Sequence, residues 1–308
     1  MILLTGKNGQ LGWELRRTLA PLGPLVAVDV EELRLEDTAA IRRLVREVRP
    51  TLIVNAAAHT AVDRAEDEPE LAMAVNGVAP AILADEARRL GGAIVHYSTD
   101  YVFDGAKPGA YVEDDLPRPL GVYGETKLAG EAAVRGVGAP HLILRTSWVY
   151  GARGSNFLRT VLRAAASGKP LRVVDDQRGA PTWCRMLAEA TALVLAQTGA
   201  ALRPDALEDY GGTYHLTAAG ETTWHGFASA ILELAPPPLR AACPGIAPVP
   251  TSAYPTKARR PANSRLDNAR FRETFGFSLP DWRDSLALVM AEIPATEYAP
   301  APDGRTHP

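Results

Sequence analysis

Tyr123 and Lys127 stand four positions apart in GVYGETKLAGE, residues 121–131, a stretch with the spacing of a helix's opening turns. One helical turn places two such side chains on the same face. A phenol whose pKa is ordinarily about 10 serves better as a general acid when that value lies nearer neutrality, and a neighbouring ammonium favours the phenolate. The pair has the makings of a proton donor with its cation. By itself it also reads as a solvated helix face, because so short a motif arises by chance. Tyr101 and Tyr111 have no such partner, since the positions four residues on are Gly105 and Asp115.

Other stretches bear on which reading holds. Gly6-Lys7-Asn8-Gly9-Gln10-Leu11-Gly12 follows the apolar run MILLT and opens an amphipathic stretch, a GxxGxxG turn. Glycines there allow a tight turn and let a pyrophosphate approach helix N–H groups. Asp29 ends the next apolar run about 20 residues on, as a dinucleotide fingerprint requires. The expected ligand is a nicotinamide dinucleotide held by Gly6, Gly9, Gln10, Leu11 and Gly12. Asp29 accepting from an adenosine ribose favours NADH, whereas Arg34, with Leu35 beside it, suits the 2′-phosphate of NADPH; both cofactors stay open. Asn55-Ala56-Ala57-Ala58-His59-Thr60 offers small residues across which a cofactor can lie, with backbone contacts expected at Ala58, His59 and Thr60 and the His59 side chain read as a polar loop group. In HYSTDYVFDG (96–105), Thr99 brings a hydroxyl to a strand end, where a carbonyl oxygen of a substrate would need a second donor.

The elements that position these groups follow from periodicity. Apolar runs at 1–5, 25–29, 52–56, 93–98 and 141–146 alternate with helical spacing at 10–21, 38–49, 69–91 and 122–135. That alternation predicts an α/β fold, a Rossmann-like doubly wound parallel sheet whose strands are buried on both faces. Beyond residue 150 the pattern predicts helices at 155–167, 184–197, 222–234, 267–275 and 281–293, with strands at 171–175 and 213–217. The Pro-rich run 236–261 is expected to be irregular, and the tail after Pro294 disordered. The division expected is a cofactor-binding domain over 1–150, to which the chain returns around 170–205, a smaller C-terminal substrate-binding domain over 151–295, and a tail over 296–308.

A chain of 308 residues with 46% hydrophobic content can bury a sizeable core. Its net charge of −3 carries no basic block, so no nucleic-acid partner is expected. No run reaches the length of a membrane span. Two cysteines, Cys184 and Cys243, lie far apart, which fits a reducing, cytoplasmic setting.

GKNGQLGWEL, VNAAAHTAVDRAE, HYSTDYVFDG, VYGETKLAGE, LRTSWVYG, DDQRGAPT, TTWHGFA, PTSAYPT and RPANSRLD span about residues 1–282. With them the chain resembles the extended short-chain dehydrogenase/reductases and, within these, the dTDP-4-dehydrorhamnose reductase family. The resemblance implies NAD(P)H-dependent reduction of the C4 ketone of dTDP-4-dehydro-6-deoxy-L-mannose to dTDP-L-rhamnose, the last step of dTDP-rhamnose synthesis. It makes Tyr123 the proton donor to the sugar O4, Lys127 its pKa-lowering neighbour and nicotinamide-ribose ligand, and Thr99 the group that polarises the ketone. Gly9, Gln10, Leu11, Asp29, Ala58, His59, Thr60 and Tyr97 match cofactor-contacting positions. Asp100 and Trp148 match substrate-holding ones, the indole packing its apolar face on sugar C–H groups. Arg260, Asn263 and Arg265 fall in a stretch near the nucleotide-sugar pocket, where a guanidinium suits a diphosphate. The resemblance also allows a homodimer bridged by Mg2+, for which Glu14 matches one ligand position while Arg185 stands where a second carboxylate belongs; no catalytic metal is expected. A 4,6-dehydratase would need a glutamate after its Thr-Asp pair, where Tyr101 stands. An epimerase of the same superfamily and a non-catalytic, cofactor-binding regulatory subunit are the remaining alternatives.

Overall fold

A computed structural model of the chain describes residues 1–294, Glu297 and Tyr298. Six runs form parallel strands: β1 (Ile2–Thr5), β2 (Leu25–Val28), β3 (Leu52–Asn55), β4 (Ala93–Thr99), β5 (His141–Thr146) and β6 (Gly212–His215). They make one sheet in the order β6-β5-β4-β3-β1-β2. Alternate residues serve opposite faces. Leu4, Val54, Val95 and Leu144 pack beneath α1 (Gln10–Leu19) and α5 (Cys184–Thr198). Leu3, Ile53, Ile94 and Ile143 pack beneath α2 (Thr38–Val48), α3 (Ala79–Arg89) and α4 (Val122–Val137). Each such side chain, fully removed from water, contributes roughly 1.5–3 kcal/mol, so a strand buried on both faces is strongly held.

The chain leaves β1 toward β2 on one side and takes up β3 on the other. This reversal opens a crevice at the carboxyl ends of β1 and β3, where open α/β sheets bind ligands. Beyond β5 the chain passes through a helix at Phe157–Ala166, then returns: α5 packs on α1 and β6 pairs with β5. A second cluster, including Leu158, Leu162, Phe227, Ile231, Trp282 and Leu286, is the core of the remaining chain. Short pairs stitch it together, among them Arg178–Gly179 with Thr222–Thr223 and Leu171–Val174 with Ile246–Val249.

That last pairing corrects the expectation of irregular chain over 236–261. Proline is tolerated at an edge strand, where one side needs no donor, so Pro248 sits opposite Val173 in a two-stranded ladder. A helix at Pro237–Ala242 precedes it. The single helix expected over 69–91 is divided: Pro69–Met73 and α3 flank a π turn at Ala74–Val78. The wider turn, of a kind found at functional sites, carries the buried Asn76, which binds the backbone N–H and C=O of His59 and donates to Thr126 of α4. In the tail, Glu297 pairs with Arg159 and the Tyr298 ring is buried in the second cluster, against the expectation of disorder there. For residues 295, 296 and 299–308 that expectation lies outside the described residues.

Candidate active site

The glycine turn is built by close approach. Gly6 has φ +77°, and a Cβ on it would lie 2.8 Å from the backbone of Ala57. A Cβ on Gly12 would stand 1.8 Å from the Gly6 carbonyl oxygen, so α1 presses directly on the turn. Gly9 caps α1 without a side-chain hydrogen bond. The first N–H groups of the helix therefore need an acceptor, and the helix dipole favours an anion there. Asp29 is held in place by N–H groups of Asn8 and Val30, each 2.8 Å from its carboxylate oxygens.

A cavity of about 490 Å³ runs from this turn along the carboxyl edge of the sheet. Gly6, Gly9, Gln10, Leu11, Asp29, Ala58 and Thr60 line one end, with Tyr97, Thr99, Asp100, Tyr123, Lys127 and Trp148 toward the other. A second hollow of about 290 Å³ shares Gly6, Asp29, Ala57 and Ala58 with it and continues past Leu33, Arg34, Leu35 and His59. The uncapped helix start, the glycine cradle and an apolar hollow beyond Asp29 fit an extended dinucleotide. Gly12 lines neither space; its part is the packing of α1 on the turn.

Thr99, Tyr123 and Lys127 are brought together from two elements. Thr99 ends β4, and its hydroxyl donates to Asp100 Oδ1 at 3.0 Å. Asp100 is buried. Burial lifts its carboxyl pKa to about 6, with the Ser264 hydroxyl and then the Thr99 hydrogen bond opposing. α4 starts at Gly121, and Glu66 Oε1 accepts from Val122 N–H at 2.9 Å, which seats the turn bearing Tyr123. The Tyr101 ring stands edge-on to Tyr123, with centroids 5.4 Å apart.

Burial is the largest influence on the acidity of both members of the pair. Burial pushes the Tyr123 hydroxyl up to about 12, the Thr99 hydroxyl opposes, and Asp100 adds to the rise. Lys127 is itself buried and directs Nζ at the carbonyl oxygen of Tyr97, 2.6 Å away. Desolvation carries its pKa down to about 8, with Glu131 opposing.

Trp148 adopts φ +49°, a left-handed conformation that costs a non-glycine residue energy. Its ring stacks on Trp224 at 3.7 Å with planes 11° apart. A Cβ on Gly179 would come within 2.6 Å of the indole, so the glycine lets the chain lie close against the ring. The stack on Trp224 occupies one face of the indole, and the ring lines the cavity.

Arg260, Asn263 and Arg265 line neither space. Arg260 pairs with Asp63 at 2.6 Å, Asn263 donates to the carbonyls of Lys107 and Gly109, and Arg265 pairs with Glu221 at 2.7 Å. Glu14 is engaged by Arg17 and Arg185, so a bridging cation there would compete with two guanidinium groups. Among the described residues no cluster of three metal-ligating side chains occurs, and no helix is long and apolar enough to cross a membrane. Both cysteines are free. The cavity also takes in Val62, Ser98, Thr146, Ser147, Ser155 and Asn156, which the sequence did not single out. Thr146 and Ser147 stand in LRTSWVYG immediately before Trp148, a signal that position after β5 offers.

A family profile described as RmlD substrate binding domain matches residues 1–294. A protein of Burkholderia thailandensis named dTDP-4-dehydrorhamnose reductase is 48% identical over 296 residues, covering 95% of this chain and 98% of that protein. A crystal structure of a dTDP-4-dehydrorhamnose reductase from Clostridium acetobutylicum superposes with a TM-score of 0.86 at 34% identity, covering 94% of this chain and 98% of the other. A Bacillus anthracis dTDP-4-dehydrorhamnose reductase solved with NADP gives 0.84 at 32% identity, with the same coverage.

Proposed function

The chain belongs to the RmlD substrate binding domain family, and from that premise we propose that it is a nicotinamide-dependent reductase of a dTDP-linked 4-keto sugar. The reaction is reduction of the C4 ketone of dTDP-4-dehydro-6-deoxy-L-mannose to dTDP-L-rhamnose. The observation that carries this reading is the meeting of Thr99, Tyr123 and Lys127 on the wall of a cavity that begins at the glycine turn.

Bound at the turn, a reduced nicotinamide dinucleotide supplies the hydride. Gly9, Gln10 and Leu11 at the start of α1 hold its pyrophosphate, Asp29 faces its adenosine ribose, and Leu33 and Leu35 flank the adenine. Arg34, at the rim of the same hollow, suits a 2′-phosphate, so NADPH is accepted alongside NADH. Tyr123 donates a hydrogen bond to the ketone oxygen, and Thr99 joins it once its hydroxyl turns from Asp100 to the substrate; the two stabilise the charge that develops there, and Tyr123 then gives up its proton. A hydroxyl held near 12 is a weak acid toward water but a competent donor to an alkoxide, whose basicity is greater. Lys127 anchors the nicotinamide ribose. Asp100 and Trp148 hold the sugar, and Arg260 meets the diphosphate by exchanging Asp63 for it.

Purified protein is offered dTDP-4-dehydro-6-deoxy-L-mannose with NADPH or NADH, and nicotinamide oxidation is followed by absorbance. Turnover that collapses in Tyr123→Phe is expected. No turnover with either cofactor would point to a cofactor-binding subunit without activity.

A further inference from the structure

At the carboxyl ends of β1, β3 and β4, the sheet face beneath α4 stops being apolar. Strand register sets Thr5 beside Asn55 and Asn55 beside His96, each two positions past Leu3, Ile53 and Ile94. All three are buried. Thr5 Oγ1 lies 2.6 Å from Asn55 Oδ1, Asn55 Nδ2 lies 3.0 Å from His96 Nδ1, and His96 Nε2 lies 3.5 Å from Lys127 Nζ. Gly130 lets α4 come this low, since its Cβ would already touch His96 Nε2 at 3.5 Å and collide with the Asn76 carbonyl oxygen.

Thr5, Asn55 and His96 can each bond in either sense. Burial and the charge of Lys127 hold His96 well below its ordinary pKa, so the imidazole is neutral, with one donor and one acceptor nitrogen. Its tautomer follows its neighbours. Asn55 with Nδ2 toward the ring leaves the ring proton on Nε2, facing Lys127. Asn55 with Oδ1 toward the ring holds the proton on Nδ1 and turns the Nε2 lone pair to Lys127. The Thr5 hydroxyl suits both arrangements because it donates or accepts.

Resting on the reductase reading above, we propose that Thr5, Asn55 and His96 form a reversible hydrogen-bond partner for Lys127, accepting from its ammonium and donating to its amine. His96 is thus a positioning residue for the proton cycle. In that cycle the Tyr123 O–H bond breaks as the sugar O–H forms. The phenolate is then reprotonated at the expense of a Lys127 N–H, and the amine recovers its proton from water in the cavity. Without a two-way partner, one of the two lysine states would leave a buried polar group unpaired, which is costly.

The groups that face Lys127 are few. β4 gives His96 and the Tyr97 carbonyl, and α4 gives Glu131, which is bound to Arg145 of β5 and to Arg135; Tyr123 and Asp100 line the same cavity as Lys127. β1, β3 and the π turn contribute only the uncharged Thr5, Asn55 and Asn76. Six histidines and five lysines in the chain make site-resolved titration practicable.

The test uses the full chain labelled with 15N-histidine and 13Cε-lysine, followed by NMR from pH 6 to 10, a span of about two pH units either side of the lysine. Expected is a change of the His96 tautomer, Nε2 unprotonated below the Lys127 midpoint and protonated above it. A single tautomer throughout overturns the proposal. His96→Leu should lower the Lys127 midpoint by about one pH unit, because losing a charge-assisted bond costs the ammonium more than the amine. His96→Gln, whose amide end either accepts or donates, should restore it, and the basic limb of kcat/KM should follow both shifts. Equal midpoints in His96→Leu and His96→Gln also overturn it. Should His96→Leu not fold, the wild-type tautomer decides. The NMR readings need no substrate, so a chain that fails to turn over would sink the reductase reading while the lysine result is judged independently.

Discussion

Two buried polar groups sit one turn apart on the same helix, α4, and they are treated differently. Glu131 meets Arg145 through two parallel bonds of 2.8 and 2.7 Å and meets Arg135 as well. Burial would raise its pKa, but the Arg145 guanidinium prevails and holds the carboxyl below its usual value. Among the described residues Lys127 has no carboxylate bound to it; it rests on a carbonyl oxygen and a neutral imidazole. One site is saturated with opposite charge and stays in a single state. The other is left close to a change of charge, and it is the one that opens on the cavity. On the reading proposed above, saturation serves the fold and incomplete compensation serves proton transfer.

The largest effect separating these roles is expected at the cavity end of the helix. Tyr123→Phe should lower kcat by about 10²–10⁴-fold, the scale of general acid catalysis. Calorimetric binding of NADPH and the melting temperature should stay near wild type; a matching loss of stability would erase the distinction drawn here. At the saturated end the signs are reversed. Arg145→Met leaves Glu131 charged, buried and short of its main partner, and should destabilise the fold by about 3–5 kcal/mol in denaturant titrations. Because the folded-state pKa of Glu131 is depressed, this contribution is full above the usual carboxylate value and fades as pH falls through the folded one. The gap between wild type and Arg145→Met should accordingly narrow in acid. A gap independent of pH would show that packing, not charge, holds the pair.

Smaller effects test the substrate side. Gly179→Ala drives a methyl into the Trp148 indole and should raise KM for the sugar nucleotide about tenfold while leaving NADPH binding unchanged, since overpacking costs about 1–3 kcal/mol. An unaltered KM would place the indole outside the sugar site. Smallest of all, Arg260→Ala should raise KM only a few-fold, because the guanidinium must exchange Asp63 for the diphosphate. Asp63→Asn, which frees Arg260 from that competition, should lower KM if the exchange occurs.

The sheet was legible because strands buried on both faces are written as continuous apolar runs, and the glycine turn because few residues survive such close contacts. Local spacing singled out Tyr123 and Lys127 and a strand end singled out Thr99, but spacing alone left the pair readable as a solvated helix face, and the roles came from the resemblance. The row of Thr5, Asn55 and His96 was not, since only strand register brings residues 50 and 41 positions apart into contact. Asn76 was hidden by a π turn that periodicity reads as ordinary helix. The ties of Arg260 to Asp63, 197 residues away, and of Trp148 to Trp224 are likewise long-range, and local motifs do not show them.

The most direct measurement of the central claim is the fate of the hydride. The chain is given dTDP-4-dehydro-6-deoxy-L-mannose and NADPH carrying deuterium at the transferable position of nicotinamide C4, and the product is examined by NMR and mass spectrometry. The account predicts dTDP-L-rhamnose with one deuterium at sugar C4, formed in step with cofactor oxidation. A sugar that returns epimerised but without deuterium, the cofactor unconsumed, would contradict it.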